Sequence, residues 1–136
     1  MVTDITVHTS AEYGAEDRSW TIGEHGFDAS LNAPLDFATF TGANFADGYI
    51  KSGCLLGEIT ATGKYGPYEP GASDGRETAV GMLLNTTKIP ANTAQVASDA
   101  ILVHFVCRTS RLPYPTGLGA LDAAARSALA PRVILV

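Results

Sequence analysis

Residues 48–84 read GYIKSGCLLGEITATGKYGPYEPGASDGRETAVGMLL. Two apolar runs, residues 48–60 and 77–84, flank a segment rich in glycine and proline, residues 61–76. This pattern predicts two strands joined by a long ordered loop. Connections longer than about 12 residues without secondary structure of their own are usually functional or disordered. Because the segment also holds two tyrosines, it is the first place to look for a binding surface.

Size and composition bound the remaining possibilities. The chain has 136 residues, which suits one domain, and 46% of them are hydrophobic while 17% are charged. The formal net charge of -5 is concentrated in the first 30 residues, which hold six acids and one base. The rest is balanced and has no basic stripe, so nucleic acid is not an expected partner. No apolar run approaches the length of a membrane span, and no secretion signal is expected at the N-terminus.

Residues 1–35 are expected to form an N-terminal arm outside the packed domain. They contain short strand-like alternations but too few apolar residues for a core of their own. Such a segment suits β-augmentation, in which an arm adds a strand to the sheet of another protein. The alternative is a frayed terminus that binds nothing. The expected docking residues are the apolar ones: Ile5, Val7, Trp20, Ile22, Phe27 and Leu31.

Residues 36–136 are expected to form the body, an α+β fold dominated by β-structure. The sequence predicts strands at 35–40, 48–60, 77–84 and 99–108, and a short final strand at 132–136. Residues 118–130 have helical apolar spacing and end at a proline, which predicts one C-terminal helix. Residues 77–84 are apolar on both faces, as expected of a strand that is buried on both sides. The whole reads as a small mixed domain that resembles a β-barrel.

The loop at 61–76 carries an aromatic and proline cluster, Tyr65, Pro67, Tyr68 and Pro70. Aromatic residues are enriched in the cores of protein interfaces, so we expect these four to contact another subunit or a partner. The alternative is a loop packed on its own domain.

Several short motifs resemble catalytic or metal-binding sites, but the sequence around them does not fit such sites. Residues 71–75 match the G-x-S-x-G nucleophile elbow, and Asp99 and His104 follow in the order of a hydrolase triad. The elbow needs a strand before the serine and a helix after it, whereas here a loop precedes and an apolar strand follows. The spacing of His104 and Cys107 fits half a zinc site, but no second pair completes it. No catalytic residue, cofactor or metal is predicted, and both cysteines are expected to be buried free thiols.

The ordered motifs of the central stretch resemble a known family. SGCLLGEIT at 52–60, GKYGPY at 63–68, SDGR at 73–76 and AVGMLL at 79–84 are similar to the lambda-type head decoration proteins of tailed bacteriophages. The resemblance is clearest over residues 48–84 and looser through residues 99–107 and the C-terminal helix.

The resemblance implies a structural role without catalysis or cofactor. Members bind the outer surface of the expanded head as trimers at three-fold and quasi-three-fold positions, and they hold neighbouring major capsid proteins together against DNA pressure. Their N-terminal arm orders on the capsid by joining a capsid sheet. By this resemblance the chain would be made in the cytoplasm of the host bacterium and located on the virion. The partners would be the major capsid protein and other copies of the chain, with no nucleic acid or membrane.

A second function class remains open on the residues alone. A small β-barrel that binds carbohydrate or a host surface would use the glycine, tyrosine and proline loop as its ligand groove. Binding to capsids and oligomeric state would distinguish it from a decoration protein.

Overall fold

The computed structural model describes residues 16–136. Within this part the chain forms β1 (Leu31–Leu35), β2 (Tyr49–Ile50), β3 (Leu55–Glu58), β4 (Tyr65–Pro67), β5 (Gly81–Leu83), β6 (Thr87–Lys88), β7 (Ala97–Leu102), β8 (Phe105–Cys107), α1 (Ala123–Leu129) and β9 (Val133–Leu135). Short 3-10 turns lie at Phe27–Ala29, Phe37–Thr39, Ala43–Phe45 and Thr109–Arg111. The predicted class, a β-dominated mixed fold with a helix near the C-terminus, is confirmed.

Five strands close into a barrel in the order β1-β4-β3-β5-β7. The neighbours are antiparallel except β1 and β4, which run parallel and meet where Leu35 pairs with Tyr65. The amide of Asp36 donates to the carbonyl oxygen of Tyr65 at 2.9 Å and supports this closure. Two further sheets have two strands each, the antiparallel pair β2–β6 and the parallel pair β8–β9.

The barrel wall separates two hydrophobic clusters, because neighbouring residues of one strand point to opposite sides. One cluster contains Leu56, Leu83 and Ile101, and the other contains the residues beside them, Leu55, Met82 and Leu102. All six side chains are fully buried. The prediction of a strand buried on both faces is therefore confirmed for β5, and β3 and β7 share this property. The second cluster extends to α1 and the β8–β9 sheet through Ala125, Leu129, Phe105 and Val133.

The segment at 61–76 is not a free loop, since β4 runs through its middle and pairs with β3. Its last turn packs closely on the strands. A Cβ atom added to Gly57 would lie 2.6 Å from the Cα atom of Arg76. The Arg76 guanidinium in turn forms ion pairs with Asp74 at 2.9 Å and with Glu69 at 3.2 Å. Sequence periodicity missed β4 because it is only three residues long and includes glycine and proline.

The prediction of a strand at residues 35–40 is wrong, because the strand lies earlier in the chain, at Leu31–Leu35. β1 ends at Leu35, and the Asp36 side chain then accepts a hydrogen bond from the amide of Ala38, which turns the chain into a 3-10 helix. The predicted strand at 99–108 is divided, because β7 belongs to the barrel and β8 pairs with β9. The chain leaves one sheet for the other at Val103 and His104.

The C-terminal helix is confirmed but is shorter than residues 118–130. Gly117 and Gly119 have φ values of +83° and +78°, and they keep the preceding chain in turns. The helix begins after Asp122, whose carboxylate accepts from the amide of Ala125 at 2.8 Å as an N-cap. Asp122 is therefore the N-cap of the helix. The final strand is confirmed as β9, which ends at Leu135.

Candidate functional site

The first described residues, which we call the N-terminal strap (residues 16–22), cross the body. Trp20 is completely buried, and its ring meets that of Phe105 edge to face at a centroid distance of 5.5 Å. Its Nε1–H donates to the Ser52 hydroxyl at 3.1 Å, and that hydroxyl donates to the carbonyl oxygen of Leu84 at 2.6 Å. Trp20 is thus a core residue, which corrects the expectation that it lies in an arm outside the body. Sequence reasoning missed its partners because they come from distant parts of the chain.

Polar contacts fix the outer end of the strap beside the turn between β5 and β6. The amide of Thr86 donates to the Glu16 carboxylate at 2.5 Å, and the Arg18 guanidinium donates to the side-chain oxygen of Asn85. The Asn85 amide in turn donates to Asp99 of β7 at 2.7 Å. The strap therefore begins at a defined point next to Asn85 and Thr86.

The other predicted docking residues occupy different environments. Ile5 and Val7 lie outside the described residues. Phe27 is half-buried and packs against the second cluster, while Leu31 is 53% exposed on β1. Because β1 is a barrel strand, the packed domain begins before residue 36, the expected boundary. Physically, the barrel cannot close without β1, so residues 31–35 cannot act as a free arm.

Exposed apolar side chains gather on the small sheet formed by the strap, β8 and β9. The amide of Ile22 donates to the carbonyl oxygen of Val106, and Val106 is the partner of Ile134 in the β8–β9 register. Ile22, Ile134 and the C-terminal Val136 are 37%, 61% and 60% exposed, and Val106 is partly exposed. We call these four residues the apolar row. Such a group on a small domain is typical of an interaction surface.

The aromatic and proline cluster is divided between core and surface. Tyr68 is 1% exposed, and its hydroxyl donates to the Asp122 carboxylate at 2.8 Å. Burial, reinforced by this hydrogen bond, raises the pKa of Tyr68 to about 12. Pro67 is also buried, whereas Tyr65 is half-buried and Pro70 is exposed. The alternative of a loop packed on its own domain therefore holds for Pro67 and Tyr68, and a contact role remains a prediction for Tyr65 and Pro70.

Comparison with known proteins identifies the family of the chain. The family model of bacteriophage lambda head decoration protein D matches residues 38–134, which is most of the chain. The chain belongs to that family. No curated protein and no solved structure matches it at the threshold of the comparison. The predicted family is thereby confirmed, and with it a capsid decoration role, an association with the phage capsid and a place in the virion.

The strap of this decoration protein lies outside the matched residues, yet it supplies Trp20 to the core. The matched region alone would leave an opening beside Phe105 and Ser52. A Cβ atom added to Gly53 would also lie 2.9 Å from the Trp20 ring, which shows how closely the matched part of the chain is shaped to the tryptophan. The folded unit of this family member is therefore larger than the matched range.

The catalytic motifs do not assemble in this decoration protein. Ser73 is exposed in a turn, Asp99 accepts hydrogen bonds from Asn85 and Thr87, and His104 is bonded to the carbonyl oxygen of Arg132. None of these hydrogen bonds joins two of the three residues, as a catalytic triad would require. Over residues 16–136 no group of three or more potential metal ligands occurs, and no helix in that range is long and apolar enough to cross a membrane.

The two cysteines, Cys54 and Cys107, are buried free thiols, as predicted. Burial raises the pKa of both, to about 11 for Cys107. Their Sγ atoms lie in different hydrophobic clusters. They act as small core side chains and not as nucleophiles, because the reactive thiolate is disfavoured at neutral pH.

Proposed function

We propose that this protein binds the outer surface of the expanded phage head as trimers at three-fold and quasi-three-fold positions, and that it stabilises the shell against the pressure of packaged DNA. Its partner would be the major capsid protein. The observation that carries the proposal is the family match over residues 38–134. No enzymatic step is required, because the role consists of binding alone.

The position of the strap suggests that residues 16–22 belong to the folded body and that residues 1–15 form the arm that binds the capsid. Residues 16–22 are held by the buried Trp20 ring and by hydrogen bonds from Thr86 and Arg18. Only residues 1–15 are then available to add to a capsid sheet, with Ile5 and Val7 as the apolar face of the added strand. Ordering a segment on binding costs conformational free energy, which scales with its length. A short arm with a fixed starting point lowers that cost.

The apolar row offers a second contact surface on the body. Exposed isoleucine and valine side chains gain free energy when a partner covers them, by about 25 cal/mol for each Å² buried. We assign this surface to the capsid or to a neighbouring copy. A trimer would place three arms and three such rows on one site, and multivalency would raise the overall affinity well above that of a single contact.

The carbohydrate-binding alternative is weakened by the aromatic loop. Its groove would need the tyrosines and prolines at the surface, but Tyr68 and Pro67 are buried and Tyr68 is bonded to Asp122. A ligand could reach them only by displacing core contacts.

The test measures binding to expanded capsids and to unexpanded shells by co-sedimentation. The full chain is compared with a variant that lacks residues 2–15, which leaves the strap in place. An Ile5→Ser, Val7→Ser double variant removes the apolar arm face, and a Thr6→Ala, His8→Ala double variant is its matched control. We expect weaker binding for the deletion and for the Ile5/Val7 variant, and unchanged binding for the control.

Equal binding of all four proteins would overturn the arm proposal. Analytical ultracentrifugation and cryo-EM of decorated particles test the trimer and its positions separately. Loss of decoration should lower the temperature at which DNA-filled heads rupture, and heads that rupture at the same temperature with and without the protein would contradict the stabilising role.

A further inference from the structure

Two histidines lie side by side on the surface, far apart in the sequence. His25 follows the strap, and His104 lies at the corner between β7 and β8. Their ring centroids are 5.0 Å apart and their planes form an angle of 66°. Both residues are exposed, so solvent and ions reach them. Neither takes part in the decoration role described above.

The backbone around the pair fixes its geometry. Gly26, with a φ of +86°, packs so tightly that an added Cβ atom would lie 1.6 Å from the carbonyl oxygen of His104. The residue next to His25 is therefore in direct backbone contact with His104. The turn at residues 23–26 cannot move away from the β7–β8 corner without losing this contact, so the backbone segments that carry the two imidazoles stay adjacent.

Hydrogen bonding sets the tautomer of His104. Its Nδ1 atom lies 2.7 Å from the carbonyl oxygen of Arg132. A carbonyl oxygen can only accept, so Nδ1 carries the proton of the neutral ring and the lone pair of Nε2 is open. A histidine that donates one ring N–H to a backbone carbonyl while the other nitrogen is free has the usual arrangement of a metal ligand.

The rings form an edge-to-face contact, and their separation also allows both to bind one ion. With metal–nitrogen bonds of about 2.1 Å and ligand angles of about 90–109°, two imidazoles on one ion have centroids roughly 4.5–5.2 Å apart. The observed 5.0 Å lies within this range. Imidazole is a favoured ligand for nickel, copper and zinc.

We propose that His25 and His104 form a two-histidine site for a divalent transition metal ion of the nickel, copper or zinc type. Among residues 16–136 no third His, Cys, Asp or Glu completes a cluster, so water fills the remaining coordination positions and the ion exchanges with solvent. The bound ion ties the turn that follows the strap to the β7–β8 corner. It thereby adds a link between this turn and the corner, beside the Gly26 contact and the hydrogen bond from Ile22 to Val106.

The test uses the untagged full-length protein and NiCl2 in isothermal titration calorimetry near neutral pH. We expect one nickel ion per chain for the native protein, and affinity reduced at least roughly tenfold in His25→Asn and in His104→Asn. His8→Asn is the matched control, because it removes the third histidine of the chain and should bind as the native protein does.

A second measurement separates metal binding from folding. Excess nickel should raise the melting temperature of the native protein and of His8→Asn by mass action, and should leave that of His25→Asn unchanged. Melting without metal shows whether each variant is folded, and His25→Asn is informative even if His104→Asn is destabilised. The proposal is overturned if the native protein shows no saturable binding, if His25→Asn binds nickel as tightly as the native protein, or if His8→Asn loses binding.

Discussion

Replacement of Trp20 by alanine tests whether the strap is part of the folded core. The side chain is fully buried, contacts Phe105 and donates to Ser52. Removal of a buried tryptophan costs about 3–5 kcal/mol of unfolding free energy, because transfer energy is lost and a cavity remains. For a domain of this size that loss corresponds to a fall in melting temperature of about 10–20 °C.

The matched control is Ile22→Ala, which changes an apolar residue of the same strap that is 37% exposed. We expect it to cost about 1 kcal/mol or less, since the side chain is only partly removed from water. Trp20→Phe keeps a ring against Phe105 but lacks the donor to Ser52, so its loss should fall between the two.

The assay is equilibrium unfolding in guanidinium chloride, followed by far-UV circular dichroism. Fluorescence is unsuitable for the variant because Trp20 is the only tryptophan of the chain. Protein concentration must be the same throughout, since any association of the folded chain adds to its apparent stability. A loss below about 1.5 kcal/mol for Trp20→Ala, or equal losses for Trp20→Ala and Ile22→Ala, would refute the assignment of the strap to the core.

Three further predictions concern other parts of the body. Gly75→Ala places a side chain at a φ of +113° and 2.3 Å from a carbonyl oxygen, so it should lower the free energy of unfolding by about 2–4 kcal/mol. Gly63→Ala has open space and should cost about 1 kcal/mol, and urea denaturation compares the two variants. Asp122→Ala removes the helix cap and should lower the free energy of unfolding by about 1–3 kcal/mol. Asp122→Asn keeps an acceptor and should lose less than half of that in the same assay. Cys54 and Cys107 should not react with a chromogenic disulfide reagent in the native protein and should both react in guanidinium; rapid reaction of either in the native state would contradict their burial.

Local patterns were sufficient to predict the fold class and the doubly buried strand within residues 77–84. Residues 77–84 are apolar at successive positions, and a strand of that kind has to be covered on both sides. The helix was predicted from the spacing of its apolar residues, and the proline after it separated it from the final strand. These features depend on neighbours in sequence, which is why a single chain reveals them.

Long-range contacts explain what the sequence could not show. Trp20 looked like part of an arm because its partners, Ser52 and Phe105, are more than 30 residues away. Tyr68 was expected at an interface because aromatic residues are enriched there, yet the fold buries it and its hydroxyl donates to the Asp122 carboxylate. The pairing of His25 with His104 has no sequence signal at all, since the two residues are 79 positions apart by their numbers.

The closed ring of β1, β4, β3, β5 and β7 has a consequence for association between molecules. Closure covers strand edges that an open sheet would expose, although β1 and β4 meet only at the pair of Leu35 and Tyr65. An unpaired edge is the usual starting point for sheet extension between molecules. The remaining pairs, β2–β6 and β8–β9, are only two or three residues long, and short edges are poor templates. Closure and short edges therefore both make the described sheets poor starting points for strand addition by a neighbouring molecule.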